Sequence, residues 1–381
     1  MRIVVDGRYI NDAFPGIARY TYNLIVSLAE TADGSRLIVL VNSRLPNRRY
    51  DLGHLASFPS IEIVDCPVNR FLPAELLHLA PIVRKLRPDL FHSPFFLRPY
   101  PLFSPCVQTI HDLHPLQLTK QFSPIERIIF RIGMHFAIRN AAAILTISEL
   151  SANALRRRWP AAGCRIFVTP LAPDPIFRRL SAPEKQQEAR RLGLERCRYA
   201  FHISSGLRHK NIELLLLAWK QYLQRGSSSI PKLVLAGDYG RRHMQIVALA
   251  RQLDIADSVF FMGSVDNRTL VSLYNCADLF IFPSSMEGFG LPVVEAMACG
   301  TPVLTTETVG AASESGQAVW AIPADALDPL VAALDRLLSD EGIRQKLSAA
   351  GLARAQSCTW RAAAESTWEV YRKFSGTPDK S

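Results

Sequence analysis

Glu287 and Glu295 stand eight positions apart in the stretch Asp278–Thr306, DLFIFPSSMEGFGLPVVEAMACGTPVLTT. An apolar run, Leu279–Phe282, enters a Pro-Ser-Ser loop, and Glu287, Gly288, Phe289, Gly290 and Leu291 follow. Pro292 suits the first position of a helix. That helix is expected over Val293–Ala298, and CGTP closes it with a glycine where helices stop. Glycine lets backbone approach a ligand closely. The unpaired N–H groups and the dipole at a helix start attract an anion.

Carboxylates beside such a site repel phosphate but accept hydrogen bonds from vicinal sugar hydroxyls. A ligand that satisfies both has a diphosphate over the helix start and hydroxyl-rich rings on each side, which describes a nucleotide sugar. Taken singly, Glu295 reads as a helix-dipole partner and Glu287 as a solvated carboxylate. Their pairing in this glycine-bearing frame is what points to a ligand. Arg208 and Lys210 follow another apolar run, Tyr199–Ile203. They read as cations that neutralise a leaving diphosphate, or, on spacing alone, as a solvated loop. Being two apart, they share a side only if the segment is extended. His111 and Asp112 end the run Cys106–Ile110, and a strand's carboxyl end is well placed for a ligand. His111 would hydrogen-bond a transferred group or shuttle a proton; a satisfied structural histidine is the plain alternative. His92, Ser148 and Glu149 are weaker candidates of the same kind.

The elements that must position these residues are legible as short apolar runs between helical patterns. The front half carries Ile3–Val5, Leu37–Val41, Ile61–Val64, Leu90–Phe91, Cys106–Ile110, Ala143–Ile147 and Ile166–Val168. Helix-sized segments such as Ile17–Ala29 and Ile125–Asn140 separate them. The pattern restarts with Tyr199–Ile203, Leu233–Ala236, Val259–Met262, Leu279–Phe282, Pro302–Thr305 and Ala318–Ile322. Such runs read as parallel strands buried on both faces. The expected fold is therefore α/β, with two doubly wound Rossmann-like domains over 1–175 and 176–381. APDPIF and SAPEK break the pattern near 172–185, and the last helix is free to pack back on the first domain. A cleft between the domains is the default ligand site. The tail 376–381 is expected to fray.

E-x7-E within EGFGLPVVEAMACGTPV resembles the signature of the retaining glycosyltransferases of family 4, which have the GT-B fold. The resemblance extends along nearly the whole chain. DGRYI and FPGIARYTYNL (6–24), PDLFHSP (88–94), TIHDL (109–113), LTISELS (145–151) and VTPLAPD (168–174) match elements of the first domain. SSGLRHKNIELLLLAW (204–219), LVLAGD (233–238), FMGSV (261–265) and LYNCADLFIFPSS (273–285) match the second. The likeness implies that Glu287, Gly288, Phe289, Gly290 and Leu291 cradle the sugar and diphosphate. It implies that Glu295 takes the ribose hydroxyls, that Lys210 and Arg208 stabilise the leaving diphosphate, and that Gly16 lies in a donor-facing amino-terminal loop. His111, Asp112 and Glu287 are the implied catalytic residues. The segment GLRHKN departs from the family spacing, so Arg208 and His209 compete for the family arginine's place. The amino-terminal loop carries a single glycine, with Ala18 where a second is common. Branches that read DGR, GIARYTYNL, TIHDL and TISELS often use GDP-mannose and build surface polysaccharide or O-antigen. Mannosyl transfer to a saccharide or lipid-linked saccharide is thus the expectation, ahead of rhamnosyl, glucosyl or N-acetylglucosaminyl transfer.

Composition narrows the rest. Of 381 residues, 48% are apolar and 20% charged, which is globular. No apolar run approaches the ~18–20 residues of a membrane span. MRIVVDGRYI reads as a strand rather than a signal peptide. Seven cysteines without CxxC read as reduced thiols of a cytoplasmic protein. No D-x-D and no Cys/His cluster occurs, so neither a metal nor another cofactor is expected. Net charge is +10, and residues 1–178 hold 21 basic and 13 acidic side chains. A basic front half suits an anionic partner. Arg127, Arg131, His135 and Arg139 recur every four positions, beside Ile128, Ile129, Ile132 and Phe136. That pattern suits peripheral contact with an anionic membrane at its inner face, or an ordinary helix whose apolar side packs on the sheet. Nucleic acid is not an expected partner, because no basic run beyond Arg156–Arg158 and no RNA-binding aromatic motif is present. A nucleotide-sugar epimerase or phosphorylase of the same fold, or a non-catalytic nucleic-acid-binding protein, are the alternatives in function.

Overall fold

The computed structural model describes residues 1–13, 15–68, 73–99, 104–119, 121–195, 197–226 and 231–375. The expected tail at 376–381 lies outside them. Contacts divide the chain into two compact units, Met1–Leu171 with the segment from Thr359 onward, and Ala172–Cys358.

Among the described residues, the first unit holds seven strands: β1 (Arg2–Val5), β2 (Arg36–Val41), β3 (Ile61–Asp65), β4 (Leu90–Ser93), β5 (Cys106–Thr109), β6 (Ala143–Thr146) and β7 (Ile166–Val168). They form one sheet in the order β3-β2-β1-β4-β5-β6-β7, parallel throughout, with Ile3 opposite Leu37 and Val5 opposite His92. Burial explains the apolar runs: β4, β5 and β6 are buried along their whole length, because helices cover both faces. One side packs Val4, Ile38, Leu40, Phe91 and Cys106 against Leu79 and Val83. Ile144 and Ile166 pack against Phe130, Met134, Ile138, Ala152 and Leu155. Each of the large aliphatic and aromatic side chains among these contributes about 1.5–3 kcal/mol by leaving water. The last helix, Trp360–Phe374, docks on the helix Pro15–Glu30. Its Trp368 Nε1 donates to Leu28 O at 3.3 Å and Thr31 Oγ1 at 3.1 Å. That docking places the carboxyl-terminal segment in the first unit.

The second unit holds β8 (Tyr199–Ile203), β9 (Lys232–Ala236), β10 (Val259–Gly263), β11 (Leu279–Phe282), β12 (Val303–Thr306) and β13 (Trp320–Ile322). Their order is β10-β9-β8-β11-β12-β13, again parallel. Gly237 ends β9 at φ +122°, and a Cβ there would collide with Ser204 O. Only glycine lets the loops after β8 and β9 come this close.

Each unit buries a histidine beside its sheet. His92 Nδ1 meets the Tyr371 hydroxyl at 2.6 Å and Nε2 meets Thr109 Oγ1 at 2.8 Å. Burial pushes its imidazole down from 6.5 to about 3, and neighbouring His111 adds to the shift. His202 donates from Nδ1 to Ile281 O at 2.9 Å, so its Nε2 accepts from Ser204 Oγ at 2.8 Å. Burial and then Lys210 lower it to about 4, against the opposing pull of the Ile281 carbonyl. Below 6.5 the unfolded chain protonates both rings while the folded chain keeps them neutral. Their contribution is therefore complete above that pH and is lost as pH falls, at about 1.4 kcal/mol per pH unit for each ring. Urea unfolding at pH 6.5 and at about pH 5 should show the drop, and His202→Gln should reduce its slope.

Candidate donor-sugar site

The second sheet reverses direction of winding between β8 and β11, the point where ligands bind in open α/β sheets. The carboxyl ends of these two strands lead into residues 204–211 and 283–291. After β8 the chain makes a 3₁₀ turn, Arg208–Lys210, with Lys210 N donating to Leu207 O at 3.0 Å. Asn211 then adopts φ +56°, a left-handed conformation that Asn tolerates. Its amide donates to Pro283 O at 2.9 Å and Asp325 Oδ1 at 2.7 Å. Ser285 N donates to His209 O at 2.7 Å. These bonds lock the two loops together.

The lock brings Lys210 and Glu287 into contact. Lys210 Nζ donates to Glu287 Oε1 at 2.6 Å and lies 5.2 Å from the centre of the Phe282 ring. His209, buried, places Nε2 3.7 Å from the same carboxylate oxygen. Arg208 is exposed. A 3₁₀ turn advances about 120° per residue, so Arg208 and Lys210 leave it on different sides. Of the two residues that compete for the family arginine's place, His209 is the one beside Glu287.

Glu287 pairs with the loop after β12: its N donates to Thr308 O at 3.1 Å, and Gly310 N donates to its carbonyl at 3.2 Å. Phe289 O accepts from Ala311 N at 2.6 Å. Gly290 sits at φ +96°, and a Cβ would come within 2.5 Å of Val309 Cγ1. The helix begins at Leu291, one residue before the proline, and runs to Ala298 with no side chain capping its start. Gly288 and Phe289 are buried behind this start, and Leu291 is half-buried. Glu295 lies in the second turn, 2% exposed, and accepts from the Tyr274 hydroxyl at 3.1 Å. The chemistry on offer is a helix start without a side-chain cap, a lysine held by the carboxylate of the loop that precedes it, and a buried carboxylate in its second turn.

The first unit separates its candidates. His111 donates from Nε2 to Pro94 O at 2.9 Å, which leaves Nδ1 as the ring's acceptor. Burial lowers its pKa, opposed by the Pro94 carbonyl and by Asp112. Asp112 turns its carboxylate to His114, accepting from His114 N at 2.9 Å, so it braces the short helix His114–Gln117. Gly16 lies in the first turn of the helix Pro15–Glu30, not in a loop, and a Cβ there would face open space. Ser148 caps the helix Glu149–Arg158, and Glu149 pairs with Arg156 at 3.0 Å. His92 is spent on Tyr371 and Thr109, a structural use.

Two features lay outside the expectations from sequence. Tyr274, the partner of Glu295, sits in an apolar-patterned helix where nothing distinguishes it from a core aromatic. The Thr308–Gly310 segment meets Glu287 through backbone atoms, which leave no side-chain signal. Among the described residues, no group of three His, Cys, Asp or Glu could hold a metal ion.

Two doubly wound parallel sheets, one in each unit, make up the GT-B fold. Residues 15–175 match Glycosyltransferase Family 4, and residues 184–354 match Glycosyl transferases group 1. The chain belongs to this family of glycosyltransferases. It is 26% identical to the O-antigen chain mannosyltransferase B of Escherichia coli, across 98% of this chain and 100% of that protein. A D-inositol 3-phosphate glycosyltransferase of Corynebacterium diphtheriae is 33% identical over 42% of this chain and 39% of its own. In fold it is similar to the Anabaena protein HepE, solved in complex with UDP and glucose. The TM-score is 0.73 at 19% identity, over 98% of this chain and 100% of that one.

Proposed function

We propose that the chain transfers a hexose, mannose in preference, from a nucleoside diphosphate sugar to a saccharide or lipid-linked saccharide of a cell-surface polysaccharide, with retention at the anomeric carbon. The observation that carries the donor reading is the Lys210–Glu287 pair, 2.6 Å apart, beside the uncapped helix start. The diphosphate lies over that start, and Lys210 leaves Glu287 to meet its charge. Glu287 then addresses the sugar hydroxyls. Glu295 exchanges Tyr274 for the ribose hydroxyls. The acceptor hydroxyl attacks the anomeric carbon from the leaving-group face. The bond from that carbon to the phosphate oxygen breaks, the bond to the acceptor oxygen forms, and the acceptor proton passes to a phosphate oxygen. The second unit holds the donor and the first the acceptor, where Nδ1 of His111 takes a hydrogen bond from a hydroxyl.

The preference for mannose is supported by the full-length likeness to an O-antigen mannosyltransferase. A thermal-shift screen against GDP-mannose, UDP-glucose, ADP and dTDP sugars tests it, since a tight donor stabilises by mass action. GDP-mannose should give the largest shift, and a larger one with another base would name a different donor.

Helix start and lysine supply the positive charge, so transfer should persist in EDTA. Glu295→Gln should raise the donor Michaelis constant. Hydrogen bonds to a charged acceptor are worth about 1.5–3 kcal/mol, or about ten- to a hundredfold. Initial-rate kinetics over donor concentration check this, and an unchanged constant would remove Glu295 from the site.

A further inference from the structure

The helix Pro124–Asn140 has two apolar arcs, and the fold uses one. Phe130, Met134, Ala137 and Ile138 are buried against the first sheet's core. Gly133, near the edge of this arc, sits under Phe96, where a Cβ would come within 2.7 Å of the ring. Ile125, Ile128, Ile129, Ile132 and Phe136 face the other way and are 50–69% exposed. At about 100° per residue, these five fall within roughly 100° of arc, opposite the packed side. Scattered exposed aliphatics are ordinary, but five large ones on one helix face mark an interaction surface.

The charges beside this face choose its partner. At the same rotation, Arg131 and His135 flank the exposed arc on one side, Arg139 extends into it near the carboxyl end, and Arg127 falls on the packed side. Arg131, His135 and Arg139 are exposed and Arg127 is partly so. Ile128, Arg131, Ile132, His135 and Phe136 line one surface depression of about 420 Å³. Glu126 is the helix's one acidic residue, and its carboxylate is tied to Ser123 N at 2.7 Å in the capping box. The face therefore presents aliphatics flanked by cations, within a first half that carries 21 basic and 13 acidic residues over 1–178. A protein partner would bury these arginines and need matching carboxylates. A bilayer takes isoleucine and phenylalanine among its acyl chains, while arginines reach sideways to lipid phosphates.

We propose that this helix lies in the surface of an anionic membrane, with Ile125, Ile128, Ile129, Ile132 and Phe136 inserted and Arg131 and Arg139 on lipid headgroups. The surface belongs to the first unit alone and does not depend on the donor reading. It would hold the enzyme where a lipid-linked acceptor is found.

Sedimentation of the full chain with vesicles tests the assignment. Vesicles of mixed phosphatidylglycerol and phosphatidylcholine should pellet it at low salt, and pure phosphatidylcholine should not. Salt should release it, because screening shortens to about 8 Å at physiological ionic strength. Arg131→Glu and Arg139→Glu together should weaken binding about tenfold or more. Ile128→Ser, Ile132→Ser and Phe136→Ser should weaken it about tenfold or more at unchanged charge. Ile132→Trp provides a reading within an otherwise native helix: its emission should shift to the blue with anionic vesicles. Equal binding to neutral vesicles, retained binding in the serine variant, or an unshifted tryptophan would each overturn the proposal. So would a concentration-dependent dimer that the serine variant dissolves without any vesicle binding, since the face would then belong to a second copy.

Discussion

Replacing Lys210 with alanine is expected to lower turnover by roughly 10²–10³-fold, the usual loss when one preorganised charge stabiliser is removed. Donor affinity should fall less, because the helix start still holds the diphosphate. Lys210 also neutralises Glu287, whose side chain is only 12% exposed. A loss of activity in the single variant therefore has two readings: a missing cation at the leaving group, or a carboxylate left uncompensated. Lys210→Met combined with Glu287→Gln separates them. If Lys210 only balances Glu287, the double variant turns over no more slowly than Glu287→Gln alone. If it acts on the leaving diphosphate, the double variant is slower than Glu287→Gln by about the loss seen in Lys210→Ala. Single-turnover rates at saturating donor are the measurement, since they exclude product release.

The second large effect is on stability. Arg8 is 2% exposed and grips Asp6 with two bonds of 2.7 Å, Nε to Oδ1 and Nη2 to Oδ2, while Nη1 reaches Val68 O at 3.2 Å. Asp6 follows β1 directly, so the pair fixes the loop at the first sheet's own switch point. Arg8→Ala leaves a buried carboxylate without its cation, which costs about 3–5 kcal/mol. Arg8→Met with Asp6→Leu removes both charges at similar volume and should recover most of that loss. Equilibrium urea unfolding of the four proteins gives the cycle. A loss below about 1 kcal/mol in Arg8→Ala would mean water reaches the pair and screens it.

Among the described residues the strands were legible as short apolar runs, with a boundary error of a residue or two; β4, β5 and β6 are buried throughout, while the edge strands β3 and β10 are partly open to solvent. Ile166–Val168 and Tyr199–Ile203 fall where the sequence puts them. The loop and helix around Gly290 were legible for a different reason: glycine, proline and a second glycine punctuate them locally. What the sequence hides is set by distant partners. Lys210 and Glu287 are 77 positions apart and Tyr274 and Glu295 are 21 apart, and no local pattern announces either pair. The choice between Arg208 and His209 depended on a 3₁₀ turn where an extended segment was equally readable. Asp112 was read with His111 as neighbours in sequence, but its carboxylate is one residue out of phase and braces His114. In the helix Pro124–Asn140, periodicity detects both apolar arcs and does not say which one the sheet takes.

Calorimetric titration with the nucleoside diphosphate selected by the thermal screen measures directly whether the second unit's switch point holds the donor, using the intact chain and its Lys210→Ala, Glu295→Gln and His111→Ala variants. Saturable binding is predicted for the parent, weakened about tenfold or more in Lys210→Ala and Glu295→Gln, where a charged hydrogen-bond partner is lost, and unchanged in His111→Ala. Parent-like affinity in both Lys210→Ala and Glu295→Gln would contradict the account.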